Sequence, residues 1–592
     1  MKVLFLHPDD SPTDGAWSRS RWDLIVDLGF ASSFTYEEWS RQLGARILSI
    51  HQFAGQSESY RWVNQVIEHG RGRLFDRMGL DWWEILAVWS YQDLKALYLV
   101  NQLRAEINLD GAELAASREH LCSRIVAQVL GRPIRCFEVE NQSALGTARR
   151  MLRSARSLRP RQILEVAFDK WDANYQVRRH LNRHKRARLS EPAVLIPSAY
   201  SNVTRTVLAY AAQLPHRRFL LATTRSSALP AQPSTNVTTV PLAAYALPAS
   251  ATETEAAELK KAWQVFRDTT VSGVEALQNA EMAGFWKHIP AHLENGLRLR
   301  NAWKCLLESE PVKGVLCGDD LNYYTRLPLI LAHRGDLRAV YCSHGALDGG
   351  FLFKLPQAEA FLVKGEMESD YLQQARPIEP KRIWIGAPGK NTYSESDHAS
   401  SHDGGVVFFS QPYEVEGGRA DAIYRELLPR LLSIAQRSAR KLVIKLHPFE
   451  SKRVRMALVA SILPKEALDQ VEIVSQVPVE EIIARTWCGI SVDSSVAVEC
   501  SLKGIPFFLC GWLDFAGVGY LRQFARYGAG GILNTPESIE QIPEMVAEYR
   551  TNPAALRRLW READPAKLDD TLFGTGLGSS HGALHCGVSL TA

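Results

Sequence analysis

Short apolar runs alternate with longer segments of helical periodicity along most of this chain. Each short run spans four to six residues, is rich in Val, Ile, Leu or Phe, and is bounded by turn-forming residues. Strands buried on both faces of a parallel sheet have this composition, and their alternation with helices is typical of βαβ units. The pattern therefore predicts an α/β protein built on parallel sheets. The predicted strands are Val3 to His7, Ile47 to Gln52, Ile134 to Val139, Val194 to Pro197, Phe219 to Thr223, Gly314 to Cys317, Ala339 to Ser343, Ala360 to Lys364, Ile383 to Gly386, Val406 to Ser410, Leu442 to Leu446, Val471 to Val474, Gly489 to Val492 and Pro506 to Cys510.

Two stretches interrupt this alternation and indicate where the chain divides. The segment from Thr392 to Gly405 is polar, rich in Gly and Ser, and has no periodic apolar residue, as expected of a domain boundary. A basic helical region from about Gly146 to Glu191 marks a softer boundary. Because single cores stop growing near about 250 to 300 residues, a chain of 592 residues is expected to form two or three domains. We divide it into 1–150, 151–392 and 405–592.

The composition is that of an ordinary soluble globular protein, with 46% hydrophobic and 23% charged residues. The net charge of +4 is too mild to indicate a nucleic-acid partner. The nine cysteines show no CxxC spacing, which favours a reducing compartment over a disulfide framework or a zinc site. The N-terminal residues resemble a strand more than a signal peptide, and no run approaches the roughly 18 apolar residues of a transmembrane helix. We therefore expect a cytoplasmic protein.

The basic residues are unevenly distributed. The stretch from Arg149 to Arg188 holds thirteen Lys and Arg against three acidic residues. A solvated helical face is the simpler interpretation of this stretch. Peripheral docking on the anionic inner leaflet of a membrane, where lipid-linked acceptors lie, is the functional alternative.

Three predicted strands in the last range end in polar residues. Ligands of open α/β sheets bind beyond the carboxyl ends of the strands, and these ends deliver Gln411, then Lys445 with His447, then Ser494 and Ser495. The lysine and histidine form a cationic pocket suited to a phosphate. The two serines fall at a predicted helix start, whose free N–H groups and positive dipole end attract an anion. Each motif alone is more often structural, but their occurrence at successive strand ends of one sheet predicts a phosphate site.

These motifs together resemble the C-terminal domain of GT-B glycosyltransferases that make bacterial surface polysaccharides. The nearest in motif are the CMP-sugar-using capsule enzymes (Kdo transferases and sialyl- or polysialyltransferases) and the CDP-glycerol glycerophosphotransferases. In those families the His-Pro histidine and the serine-rich helix start hold the donor phosphates, which implies this role for His447, Ser494 and Ser495. Related GT-B folds place a ribose-binding carboxylate one turn into the same helix, at Glu499 here. The motifs that carry the resemblance are Gln411-Pro412, Lys445-Leu446-His447-Pro448 and Asp493-Ser494-Ser495.

The resemblance covers residues 400–550 well and the middle range more loosely. It implies a GT-B-like fold, with two facing Rossmann-like parallel-sheet domains. Residues 1–150 are extra relative to that arrangement, and we expect them to form an additional α/β region that acts as an acceptor or accessory module.

Two predicted strands of the middle range also deliver polar residues, Asp319 and Asp320 after the first and His344 after the second. Glycosyl transfer needs a general base for the acceptor hydroxyl. His344 is a candidate because the ordinary pKa of histidine lies near neutrality, and the His-Gly here resembles the catalytic histidine of the glycerophosphotransferases. Asp319 or Asp320 is the rival, since sialyltransferases of this architecture use an aspartate. An aspartate beside His344 would instead orient it, or the pair would only cap the next helix.

The leading hypothesis is a glycosyltransferase of the bacterial cell envelope, building a surface polysaccharide such as a capsule. Its partners would be a CMP- or CDP-linked sugar donor, chosen on resemblance alone, and a glycan or lipid-linked acceptor. We expect no cofactor besides this donor, which is a substrate, and no metal, since no Asp-x-Asp lies in a context that demands one. The alternatives are a UDP-sugar 2-epimerase-like enzyme and a non-catalytic scaffold of the same fold.

Overall fold

Three parallel β-sheets of five, seven and six strands form the framework of the computed structural model. The structure describes residues 1–574 except 54–55, 120, 139–185, 226–227, 229–233, 249, 346, 348, 353, 377, 390–403 and 515–518. Within these ranges every strand pair is parallel. The predicted α/β class with parallel sheets is confirmed.

The first sheet has the strand order β3-β2-β1-β4-β5. Its strands are β1 (Lys2–Leu6), β2 (Leu24–Asp27), β3 (Arg46–Ser49), β4 (Glu113–Arg118) and β5 (Arg135–Glu138). The helices of this region are Ser33–Leu43, Gln56–Gly70, Trp82–Trp89, Tyr91–Glu106 and Leu121–Val129.

The second sheet has the strand order β12-β11-β10-β9-β6-β7-β8. The strands after β6 are added first on one side of it and then, from β9, on the other side, so the switch point lies between β6 and β9. Its strands are β6 (Ala193–Ser198), β7 (Arg218–Thr223), β8 (Val237–Pro241), β9 (Val312–Cys317), β10 (Arg338–Cys342), β11 (Ala360–Val363) and β12 (Ile383–Ile385). Its α-helices are Ser201–Ala211, Ser250–Phe266, Glu275–Met282, Ile289–Ser309, Tyr323–Arg334 and Glu366–Ala375.

The third sheet has the order β15-β14-β13-β16-β17-β18, with its switch point between β13 and β16. Its strands are β13 (Gly405–Phe409), β14 (Leu442–Lys445), β15 (Val471–Val474), β16 (Thr486–Ser491), β17 (Phe507–Cys510) and β18 (Gly531–Leu533). The α-helices of the last part of the chain are Ala420–Arg437, Lys452–Ile462, Val479–Ile483, Val496–Leu502, Tyr520–Arg526, Ile542–Glu548, Pro553–Leu559 and Pro565–Phe573.

A single hydrophobic core joins the first two sheets. It contains Val3 of β1 and Leu195 of β6, together with buried residues of helices such as Trp82–Trp89 and Ile289–Ser309. Trp82 is fully buried in this core and packs so closely on Gly296 that no Cβ would fit there. The first sheet and its helices therefore share one hydrophobic core with the second sheet. The predicted boundary at residue 150 lies outside the described residues and stays a prediction.

The last helix, Pro565–Phe573, packs on the second sheet although it follows the third. Leu568 and Leu572 are buried in the same cluster as Val194 and Leu316 of the second sheet. Arg217, at the start of β7, donates two hydrogen bonds of 2.6 Å to the carboxylate of Asp569. Within the described residues, the helix Pro565–Phe573 of the predicted range 405–592 thus packs with the second sheet, and the domain division stays a prediction.

Gly365, two residues after β11 of the second sheet, packs against the end of the helix Pro553–Leu559. A methyl group on Gly365 would lie 2.3 Å from the Leu559 carbonyl oxygen and 2.4 Å from that of Arg558, both main-chain atoms. We expect Gly365→Ala to lower the free energy of unfolding by about 1–3 kcal/mol, because the new methyl group displaces the end of the helix Pro553–Leu559. Urea titration followed by circular dichroism measures this. Gly273→Ala is the matched control, since its nearest atoms lie at ordinary contact distance; equal stability of the two variants would contradict the steric explanation.

Two further sequence predictions concern membranes. In the part of the chain that the structure describes, no helix is long and apolar enough to cross one. The basic stretch from Arg149 to Arg188 lies outside the described residues except for its last three, so peripheral docking stays a prediction.

Candidate functional site

The carboxyl edges of the second and third sheets face each other across a cleft. The ring of Tyr200, which follows β6, contacts that of Phe449, which follows β14, with centroids 6.0 Å apart. Elsewhere along the cleft, the Gly349 amide donates a 2.6 Å hydrogen bond to the Tyr520 hydroxyl. Both sheets therefore present the edge at which open α/β sheets bind ligands. This is the facing arrangement that a GT-B-like fold predicts.

His344 follows β10 and lies exposed on the second-sheet face of the cleft. Its Nδ1 lies 3.1 Å from the Gly318 carbonyl oxygen. A carbonyl can only accept, so this hydrogen bond places the proton on Nδ1. In this tautomer the lone pair of the neutral ring is on Nε2. The predicted base is therefore held in the tautomer that a general base requires.

The two predicted aspartates have separate roles. The Asp320 carboxylate is buried and forms an ion pair with buried Lys354. This ion pair does not support the predicted catalytic role of Asp320, because its carboxylate is paired with Lys354 inside the protein.

The Asp319 carboxylate forms hydrogen bonds with residues that lead into the following helix. It accepts hydrogen bonds from the Leu321 amide at 3.1 Å and from the Asn322 side chain at 2.6 Å. Asn322 in turn caps the helix Tyr323–Arg334. Burial raises the pKa of Asp319, and the charge of nearby His344 opposes that effect. Asp319 is thus close enough to His344 to act on it electrostatically, but its carboxylate accepts hydrogen bonds that support the helix cap.

His447 lies half-buried on the opposite face, after β14. Its Nδ1 accepts a 3.3 Å hydrogen bond from the Phe449 amide, so the ring proton is on Nε2. Burial lowers the pKa of His447 to about 4, and the charges of Lys445 and His344 add to the effect. The ring is therefore neutral near pH 7 and offers an N–H donor. Its loop is held by Glu450, which accepts the His447 amide at 2.7 Å.

Lys445 and Arg205 supply positive charge near this histidine. Lys445 is largely buried at the end of β14, and its ammonium donates to the Leu446 carbonyl at 2.9 Å. Burial lowers the pKa of Lys445, and the charge of Arg205 lowers it further. Arg205 lies on the helix Ser201–Ala211 of the opposite face and pairs with Glu480 at 3.4 Å. Its contribution was not predicted, because the pattern of its own helix gives no sign of what that helix faces.

Gln411 and Asp493 meet at the switch point of the third sheet. The Gln411 amide nitrogen donates to the Asp493 carboxylate, and its oxygen accepts from the Asp493 main-chain amide at 3.3 Å. Burial raises the pKa of Asp493 to about 6. Gln411 was predicted to bind the donor. The structure instead engages both ends of its amide in joining β13 to β16.

The predicted helix start is present. Ser495 is the N-cap of the helix Val496–Leu502, and the Ser494 hydroxyl accepts from the Val496 amide at 3.3 Å. Both serines are half-buried. Glu499 lies one turn later; burial raises its pKa, whereas the charges of Arg205 and Lys364 across the cleft lower it. The structure thus brings Glu499 close to the second-sheet face.

The cleft therefore combines a proton acceptor and Arg205 on the second-sheet face with an N–H donor, Lys445 and a helix start on the third-sheet face. Such a set can remove a proton from a hydroxyl and stabilise a phosphate that leaves. Among the described residues, no group of three or more His, Cys, Asp or Glu is placed to hold a metal ion.

No protein-family model and no curated protein match the chain. Similar solved structures include the UDP-GlcNAc 2-epimerase of Methanocaldococcus jannaschii in complex with UDP-GlcNAc and UDP, which is 11% identical with a TM-score of 0.39 and covers 63% of this chain and 95% of its own. A variant of the wall teichoic acid polymerase TagF is 11% identical with a TM-score of 0.38, covering 69% and 94%. The calicheamicin glycosyltransferase CalG4 is 13% identical with a TM-score of 0.35, covering 65% and 96%. All three TM-scores lie below 0.5, so function rests on the site alone.

Proposed function

We propose that this chain is a glycosyltransferase that moves a sugar from a nucleotide-linked donor to an acceptor hydroxyl. The observation that carries the proposal is the pair of histidines on opposite faces of the cleft. His344 presents an Nε2 lone pair and His447 an Nε2–H, and the rings are close enough for a charge on His344 to lower the pKa of His447. One group suits the acceptor hydroxyl and the other suits the departing phosphate.

The proposed reaction is a direct transfer at the anomeric carbon. The hydroxyl proton moves to Nε2 of His344 as the acceptor oxygen bonds to that carbon. The bond from the carbon to the phosphate oxygen breaks, and the nucleotide leaves with the electron pair. His447, Lys445 and the helix start at Ser495 stabilise its negative charge. Metal independence stays a prediction of this scheme.

The identity of the donor and acceptor is the finer part of the proposal. We propose a CMP- or CDP-linked donor, with Glu499 at the ribose, and a glycan or lipid-linked acceptor of a cell-surface polysaccharide. The support is the resemblance of the Gln411, His447 and Ser494-Ser495 motifs to capsule and glycerophosphate transferases. A thermal-shift screen against CMP, CDP, UDP, GDP and their sugars identifies the nucleotide, because a ligand of the native state raises the melting temperature.

The phosphate role of His447 is tested by His447→Ala. A hydrogen bond to a charged group contributes about 1.5–3 kcal/mol, so we expect the nucleotide found in the screen to bind roughly 10- to 150-fold more weakly. Isothermal calorimetry measures this. His69→Ala is the control, since His69 lies exposed on the helix Gln56–Gly70.

Unchanged affinity of the His447 variant would remove that residue from the donor site. Epimerisation of a UDP-sugar without any acceptor would support the epimerase-like alternative. Nucleotide binding without transfer to any acceptor would support the scaffold alternative.

A further inference from the structure

We infer that Lys364 is a positioning residue that holds His344 in place for catalysis, an inference that rests on the proposed function. Lys364 directly follows β11, the strand that pairs with β10. Its ammonium donates to the Ser343 carbonyl at 2.9 Å and to the Gly345 carbonyl at 2.5 Å. These are the residues immediately before and after His344. One side chain thus fastens the main chain on both sides of the proposed base.

A carboxylate completes this arrangement. The Lys364 ammonium also donates to Glu368 Oε1 at 3.0 Å, and Glu368 Oε2 accepts the main-chain amide of Lys364 at 2.7 Å. Lys364 and Glu368 are 8% and 4% exposed, so neither charge is well hydrated. A buried ion pair is held firmly, because moving either partner leaves an uncompensated charge. The lysine therefore has one stable location.

The three hydrogen bonds of the Lys364 ammonium also show that its role is to position His344. An ammonium has three donors, and here they serve Ser343, Gly345 and Glu368. With these bonds intact, the side chain has no donor left for a substrate. Lys364 thus acts through the His344 loop and does not touch the reacting atoms.

His344 is then held by two linked sets of contacts, because the main-chain position that Lys364 sets keeps the ring within hydrogen-bond distance of Gly318. Gly318 selects the tautomer of the ring, and Lys364 sets the direction of the main chain that carries it. A displacement of about 1 Å at a catalytic group can lower a rate by roughly 100-fold. The His447 loop on the opposite face is held similarly, since buried Glu450 accepts from the His447 amide and from Arg455 at 2.7 Å each.

The test uses the full chain with Lys364→Met, which keeps the aliphatic stem, and Lys364→Arg, which keeps the charge. For Lys364→Met we expect a loss in kcat of about 100-fold, with the donor KM and nucleotide affinity unchanged within about twofold. Lys364→Arg should recover part of the rate. Lys260→Met is the matched control, since it removes a lysine ion pair with Glu294 on the helices between the first two sheets.

A second readout does not depend on activity. Nitrogen-15 NMR of labelled histidines reports which ring nitrogen of His344 carries the proton, with His344→Gln for assignment. We expect a defined Nδ1–H tautomer in the wild type and in Lys260→Met, and a mixture in Lys364→Met. Lys364→Arg retains the buried charge, so we expect its His344 tautomer population to lie between those of the wild type and Lys364→Met, and this variant gives the comparison where the methionine variant does not fold.

The outcomes separate the two proposals. An unchanged His344 tautomer together with an unchanged kcat in folded Lys364 variants would overturn the positioning role. If the wild-type protein transfers no sugar, the proposed function is overturned. If the Lys364 variants nevertheless lose the defined His344 tautomer, the positioning role remains supported.

Discussion

Replacing His344 by alanine should slow sugar transfer by about 10²- to 10⁴-fold, the usual contribution of a general base. The variant loses the Nε2 lone pair of the proposed base, while the residues proposed to hold the phosphate lie on the third sheet and are untouched. Nucleotide affinity should therefore stay within about twofold of the wild type. Single-turnover kinetics with the donor identified by thermal shift measures the rate, and calorimetry measures the affinity.

The same experiment decides between histidine and aspartate as the base. His333→Ala is the control, because His333 is exposed at the end of the helix Tyr323–Arg334. Asp319→Asn should cause a smaller loss than His344→Ala, since the Asp319 carboxylate accepts hydrogen bonds that support the helix cap. A full rate in His344→Ala together with an inactive Asp319→Asn would transfer the role of the base to Asp319.

The second large effect concerns stability. Asp27→Ala should lower the free energy of unfolding by about 3–5 kcal/mol, because it leaves Arg419 buried without its counter-charge. Both side chains are fully buried. The guanidinium donates to the two Asp27 oxygens at 2.6 and 2.7 Å, and to the carbonyls of His7, Pro8 and Asp10. Burial lowers the pKa of Arg419, but the charge and hydrogen bonds of Asp27, together with the charges of Asp421 and Tyr36, raise it above its ordinary value.

This pair explains what the first sheet contributes. Arg419 directly precedes the helix Ala420–Arg437 of the third sheet, and Asp27 ends β2 of the first. The guanidinium lies beside the loop after β1, at the carboxyl edge where an open α/β sheet binds its ligand. Because the first sheet also shares a core with the second, it ties together the two faces of the cleft.

Urea unfolding followed by circular dichroism measures the loss in Asp27→Ala. Arg437→Ala is the control, since its ion pair with Glu540 is exposed and should contribute about 0–1 kcal/mol. Replacing both partners by apolar residues, as in Asp27→Leu with Arg419→Met, should cost less than Asp27→Ala alone. Equal losses in Asp27→Ala and the exposed control would show that the buried pair does not link the sheets.

Most strands could be predicted because their residues are apolar on both faces. Each predicted strand is present, from β1 to β17. The pattern missed β2, β4, β8 and β18; β4 begins with Glu113 and ends with Ser117 and Arg118. β2 ends in buried Asp27, whose burial makes sense only with Arg419 beside it. β8 holds two threonines and a proline, and β18 has three residues and begins with glycine.

The site residues could be located but their roles could not be assigned. Gln411 and Asp320 lie at strand ends as predicted, yet Gln411 bonds to Asp493 and Asp320 pairs with Lys354. Each partner comes from a distant part of the chain. A polar residue at a strand end therefore indicated the edge of the sheet, and the partner decided whether it serves a ligand or the fold.

The sequence by itself determined the α/β class, most of the strands, and the strand ends that carry His344, His447, Ser494 and Ser495. Local patterns suffice for these, because periodicity and turn residues act over a few positions. Only the tertiary structure decided that the two histidines face each other, that Lys364 holds one of them, and that Arg419 fastens the first sheet to the third. Those pairings depend on how separate sheets pack, and a buried charge is stable only where packing supplies its counterpart.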